Sequence, residues 1–323
     1  MSSTTRTSVL LVLLIAAASA GLQQAGASAK PASVDAAHMK WRTSCKKMKE
    51  ATRSAVNKVI WPTSMKIALS GVPPPEFSAK VNGRIAPVGT FQTNLGALEY
   101  FYRCDVCSSD QQLPTNAEIV FSQRLAGPLE LNDTTTARCV GVTERWMVCE
   151  PGKRQVAFEV LFHFVNPLLQ QIGSPVGATW NISAMGVFVF DREGRICSYD
   201  WDLRRLGLVV EAAWAPLYQL VGGEAVFNEQ LVQLTCQASA AFCTGTNSQY
   251  NNQADCEKFL RSLPVGNYDS ADQDNLICRS LHAALVPLRP AVHCAHIGPS
   301  GGGKCVPHPP NSLFTDDFSV CST

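Results

Sequence analysis

An excess of charge of either sign is what this sequence most plainly lacks. Lysine and arginine number 27 against 26 aspartates and glutamates, and charged residues are only 16% of the 323 positions. So even a balance excludes the basic footprint that nucleic-acid binding needs. Apolar runs are short as well: the one at 9–18 is too short for a membrane span, and no later one reaches the roughly 18 consecutive residues a span needs. The apolar stretch at 212–226 is broken by Pro216, Gly222, Gly223 and Glu224. The signatures of several enzyme classes are missing: no H-E-x-x-H, no dinucleotide fingerprint and no C-x-x-C-H for covalent haem. GPSGGGK at 298–304 is followed by Cys305 and three prolines instead of Ser or Thr and a helix, so it reads as a turn and not a phosphate loop. No cofactor is expected.

What is present points to export. Arg6, an apolar run at 9–18 and Ala18-Ser19-Ala20 form the pattern of a cleaved secretory leader, 1–20. Thirteen cysteines agree with an oxidising, extracellular compartment, and their odd number leaves one outside intramolecular pairs. Asn132 and Asn181 head N-x-S/T sequons and are candidate glycosylation sites. The expected division is leader 1–20, linker 21–37, an α+β domain 38–210, a helical connector 211–235 and a cysteine-rich module 236–323.

The α+β domain is organised around TWNISAMGVFVFDREGRICSYDWDLRRLG at 179–207. Its aromatic and β-branched residues predict strands at 180–190 and 195–203, joined by a tight turn with Gly194 at the left-handed position. Upstream, helical spacing predicts a helix over 34–60 and another over 90–107, the latter from Phe91, Leu95, Leu98 and Tyr102 and carrying Cys104-x-x-Cys107. Val72-Pro73-Pro74-Pro75 reads as a polyproline connection. Further strands are expected at 118–125, at 139–149 with Val140, Val142, Trp146 and Val148 on one face, and at 155–165 with Val156, Phe158, Val160, Phe162 and Phe164 on one face. In the last strand Asp200 and Asp202 share one face with Ile196 and Ser198; Cys197, Tyr199, Trp201 and Leu203 share the other. Apolar residues turned inward would line a pocket with Trp180, Phe188, Phe190, Tyr199 and Trp201.

The order of helix, antiparallel strands and a last hairpin ending FDREGRICSYDWD resembles the NTF2-like (SnoaL-like) superfamily over about 40–210. That resemblance implies a curved antiparallel sheet wrapped on helices around a cone-shaped pocket. It also implies two kinds of function: binding, or an isomerase or cyclase in which a pocket aspartate, here Asp202 or Asp200, acts as general base. The six cysteines in this region match no enzymatic branch of that superfamily.

Seven cysteines between Cys236 and Cys321 predict a disulfide framework for the tail, with helices at 252–263 and 270–285. His293 and His296 stand three apart in RPAVHCAHIGPSGGGKC, and His282 precedes them. Imidazoles are good zinc or copper ligands, which makes these three candidate metal ligands. The competing expectation is a Cys294–Cys305 disulfide with histidines capping turns. The reading is therefore a secreted, disulfide-stabilised protein whose partner is a small apolar molecule or a protein, a second copy of the chain included. It has no nucleic-acid or, after leader cleavage, membrane partner. The alternatives are an aspartate-dependent isomerase and a metal-binding tail.

Overall fold

Cys45, Met48, Thr52, Ala55 and Val56, three and four residues apart, give the first long segment one buried stripe. In the computed structural model it forms a helix, α1, Ala32–Asn57. The structure describes residues 32–60, 63–102, 138–165, 179–287, 289–309, 317–318 and 321. The leader, the expected strand at 118–125, Cys104, Cys107 and Asn132 lie outside these. The last residues of the expected linker, from Ala32 on, are already helical. The chain divides into units 1–40 and 41–323, and the account below concerns the second.

A short helix α2 (Thr63–Ser70) leads to strands β1 (Phe77–Ala86) and β2 (Gly89–Gln92) and then to α3 (Thr93–Tyr102). Four strands follow: β3 (Arg138–Glu150), β4 (Gln155–Val165), β5 (Thr179–Phe190) and β6 (Ile196–Arg204). Among the described residues they form one curved, unclosed six-stranded sheet in the order β2-β1-β6-β5-β4-β3. The expected meander β3 to β6 is antiparallel throughout, but β1 joins β6 in parallel, so the sheet is mixed. A parallel neighbour needs a long crossover, and here α3 and the whole meander provide it.

Strict alternation on β4, β5 and β6 supplies the inner face. Val156, Phe158, Val160 and Phe162 of β4, Ala184 and Phe188 of β5, and Tyr199 and Trp201 of β6 are all buried. With Phe77, Phe101 and Tyr102 they form one aromatic core under the helices. β3 departs from expectation: Val140, Trp146 and Val148 are exposed, whereas Cys139 and Met147 are buried. Register shifts at Cys139/Gly141 and Glu144/Trp146 are the cause, since one extra residue turns the following side chains to the opposite face. α3 also differs. Phe91 belongs to β2 and Leu95 is exposed, while Ala97, Leu98, Phe101 and Tyr102 make the buried stripe.

The remainder is helical: α4 (Leu206–Val221), α5 (Glu224–Phe242), α6 (Gln253–Arg261), α7 (Leu276–Leu285) and α8 (Pro290–Ile297). The boundary expected at 235/236 falls inside α5. That helix buries Phe227, Leu231, Val232 and Cys236 against Leu260 and Leu276, so connector and module share a core. Five disulfides are present among the described residues: Cys45–Cys149, Cys197–Cys321, Cys236–Cys256, Cys243–Cys294 and Cys278–Cys305. The Cys294–Cys305 pairing expected as the alternative to metal binding is therefore replaced, each cysteine having another partner. No described helix is long and apolar enough to cross a membrane.

Candidate functional site

Two places gather the residues singled out by sequence. The first is the inner face of the sheet. Phe188, Tyr199 and Trp201 meet there, Phe188 and Trp201 with ring centroids 5.5 Å apart. Phe101 of α3 packs edge-on against both Tyr199, at 4.8 Å, and Trp201, at 4.7 Å. Phe190 is fully buried at the turn end of β5. Trp180 sits at the other end, stacked on Phe164 at 5.5 Å, and both are half-buried. The apolar face thus runs from a dry end outward to a partly open one.

On this face of β6 two buried polar atoms have no partner among the described residues. Tyr199 Oη and Trp201 Nε1 are buried without a hydrogen bond. Burial also holds the Tyr199 phenol far above its ordinary value, so it is a proton donor at any physiological pH. An unsatisfied buried donor costs about 1–3 kcal/mol.

Asp200 and Asp202 lie on the opposite face of β6 from Tyr199 and Trp201, as alternation demands. Asp200 accepts two hydrogen bonds from the Arg84 guanidinium, at 2.9 and 2.6 Å, and Asp202 is exposed. Neither carboxylate joins the aromatic interior. A bulge beside Cys197 moves Ile196 into the core as well, so the expected grouping of Ile196 with the two acids is corrected. Ser198 is buried and donates to the Phe318 carbonyl at 2.9 Å. Asn181 is exposed on β5, its amide oxygen 2.7 Å from His163 Nδ1.

The second place is in the tail. α7 carries His282 one turn after Cys278, and α8 carries His293 and His296 on either side of Cys294. All three imidazoles are buried, at 3%, 1% and 7% exposure, and each offers a ring nitrogen within 4.8 Å of those of the others. His296 Nδ1 lies 3.2 Å from His282 Nδ1, and Tyr100 Oη lies 3.1 Å from the same His282 atom. Burial, and then the neighbouring histidines, push His282 well below its ordinary value; burial and His293 push His296 down to about 3. These two rings are therefore neutral.

Sequence reading missed the residues that surround these histidines. Glu99 of α3 is buried, its carboxylate clasped by the Arg289 guanidinium and 3.2 Å from His293 Nε2. Burial alone would raise its carboxyl, but the hydrogen bonds from His293 and Arg289 outweigh that and hold it below the ordinary range. The available signal was a lone glutamate in the apolar run ALEYFY, since a buried acid requires partners. Lys304 Nζ binds the Thr90 carbonyl and lies 5.4 Å from the Phe91 ring centroid.

The tail is also where a family model matches. Residues 210–308 match the BfoA family C-terminal domain. The chain is 35% identical over 124 residues, 36% of its length, to Aurasperone B biosynthesis cluster protein A of Aspergillus niger, covering 41% of that protein. It is 33% identical over 124 residues, again 36% of its length, to Bifonsecin B biosynthesis cluster protein A of Aspergillus brasiliensis, covering 42% of that protein. The chain thus spans well under half the length of the curated relatives it matches, and its likeness to the BfoA family C-terminal domain lies in the helical tail.

Proposed function

We propose that this chain is an exported, disulfide-pinned protein of small-molecule biosynthesis that binds an aromatic carbonyl compound against the inner face of an NTF2-like sheet. The observation that carries the reading is the pair of donors without a partner among the described residues, Tyr199 Oη and Trp201 Nε1, in an interior of aromatic and aliphatic side chains. An aromatic ligand matches the ring faces, and its carbonyl oxygens accept from the two donors. Three further points support it. The order of helices, strand pair, helix and four-strand meander supports the NTF2-like resemblance read from the sequence. Five disulfides suit an oxidising compartment. The relatives' names attach them to the biosynthesis of particular products. Because Asp200 and Asp202 face away from the interior, the reading is one of binding and not of carboxylate-catalysed isomerisation.

The test is to collect the untagged protein from the medium of an expressing host and weigh it under native and denaturing conditions. An organic mass retained natively and shed on denaturation is the expected result. Its absence, together with no uptake of an added planar ketone such as 1-acetonaphthone, counts against the reading.

A further inference from the structure

The buried histidines of the tail take no part in the function just described, yet they are more ordered than a core needs. Three imidazoles bring their ring nitrogens into one buried place, within 4.8 Å of one another. Two of these, His282 Nδ1 and His296 Nδ1, stand 3.2 Å apart. Two nitrogens bound to one zinc at 2.0–2.1 Å in tetrahedral geometry are separated by about 3.3 Å. On the third ring one nitrogen, Nε2, meets Glu99, and the other, Nδ1, is buried with no partner.

The scaffold around the three rings is fixed in advance. Cys278–Cys305 pins α7 one turn before His282, and Cys243–Cys294 pins α8 between His293 and His296. The sulfurs of Cys278 and Cys305 also come within ligand distance of His282, but their bond to one another removes them as thiolates. What is left is a set of nitrogen donors with one carboxylate beside it. Of the nearby cations, Arg289 is paired with Glu99 and Arg279 with Asp274, while Lys304 keeps its charge, held on the Thr90 carbonyl.

We propose that His282, His293 and His296 bind a single Zn2+ ion, with Glu99 as the carboxylate that positions His293. Imidazole nitrogen with carboxylate nearby is a donor set that zinc accepts, and three histidine ligands leave the fourth tetrahedral position for a water or another small ligand. Glu99 and Tyr100 are consecutive on α3, and both reach the cluster, so the metal ties the helical tail to the helix that roofs the sheet. A carboxylate hydrogen-bonded to a ligating imidazole fixes the ring and its tautomer, and its loss costs about 10–100-fold in metal affinity.

The experiment uses the full untagged chain, stripped with a chelator and titrated calorimetrically with Zn2+ alone. Wild type is expected to bind one equivalent. His293→Ala with His296→Ala should abolish the heat, Glu99→Gln should weaken binding about 10–100-fold, and His163→Ala, on the outer face of the sheet, should change nothing. Disulfide mass mapping and circular dichroism establish that each variant folds. Should the double variant fail to fold, wild type loaded with Co2+ decides the matter by NMR, where three imidazoles must show paramagnetically shifted ring protons. No stoichiometric zinc in wild type, undiminished binding in the double variant, or no shifted imidazoles overturns the proposal. Undiminished binding in Glu99→Gln alone removes Glu99 from the site.

Discussion

Tyr199 and Trp201 show how a single polar atom separates a packing role from a binding role. Each ring is held by aromatic neighbours, so removing only the donor leaves the packing in place. Tyr199→Phe should leave stability to urea unchanged or raise it by about 1 kcal/mol, because a partnerless buried hydroxyl is lost. A fall of more than that in the midpoint would mean that the hydroxyl has a protein partner. Glu76 makes the opposite case. Its carboxylate takes a hydrogen bond from Ser54 at 2.6 Å and an ion pair from Lys58, and although burial opposes ionisation, these partners hold its carboxyl below the ordinary 4.5. A depressed folded value means stability that is present above the unfolded value and lost as pH falls through the folded one. Thermal unfolding across roughly pH 5 to 3 should therefore show a smaller acid loss in Glu76→Gln than in wild type; equal losses would remove Glu76 from the acid transition. At this scale the sequence was partly legible. Alternation correctly separated Tyr199 and Trp201 from Asp200 and Asp202, but nothing local marked Glu99, whose partners lie about 190 residues further along.

At the scale of elements, two glycines decide how the aromatic strand sits. A Cβ on Gly83 of β1 would come within 2.4 Å of the Tyr199 ring, and one on Gly186 of β5 within 2.6 Å of Trp201 Cδ1. The rings lie across these bare positions, so Gly186→Ala should destabilise by about 1–3 kcal/mol through overpacking, measured as a shift in urea midpoint at constant slope. A neutral result would mean that the Trp201 ring has room to move. The glycines also explain why β1 was overlooked. FSAKVNGRIA has Phe77, Val81 and Ile85 as its buried large residues, four apart, and a register shift between Phe77 and Asn82 breaks the two-residue period. β3 failed in the same way at its bulges, whereas β4, β5 and most of β6 keep the period and were readable. In the tail, Cys278→Ser with Cys305→Ser should cost about 3 kcal/mol from the freed loop, read from chemical denaturation. An unchanged midpoint would show that α7 is held by packing alone.

At the largest scale, the described residues from 41 on form a sheet and a helical tail sewn to one another. Cys197–Cys321 joins β6 to the chain's far end, Ser198 binds Phe318, and Glu99 and Tyr100 bind the histidine-bearing helices. Cysteine count and composition made the disulfide framework legible, but not its connectivity, because pairing depends on how helices far apart in sequence dock. Nor did composition show that α5 belongs to the tail's core, since the cysteine-rich stretch starts within that helix. The central claim is that the sheet's inner face accepts an aromatic carbonyl compound through Tyr199 and Trp201. Its most direct test is a titration of the full chain with 1-acetonaphthone, followed by native mass spectrometry, for wild type beside Tyr199→Phe. The account predicts one ligand per wild-type chain and an affinity about 10-fold weaker in the variant, the worth of one good hydrogen bond. No adduct, or the same affinity in both proteins, would contradict it.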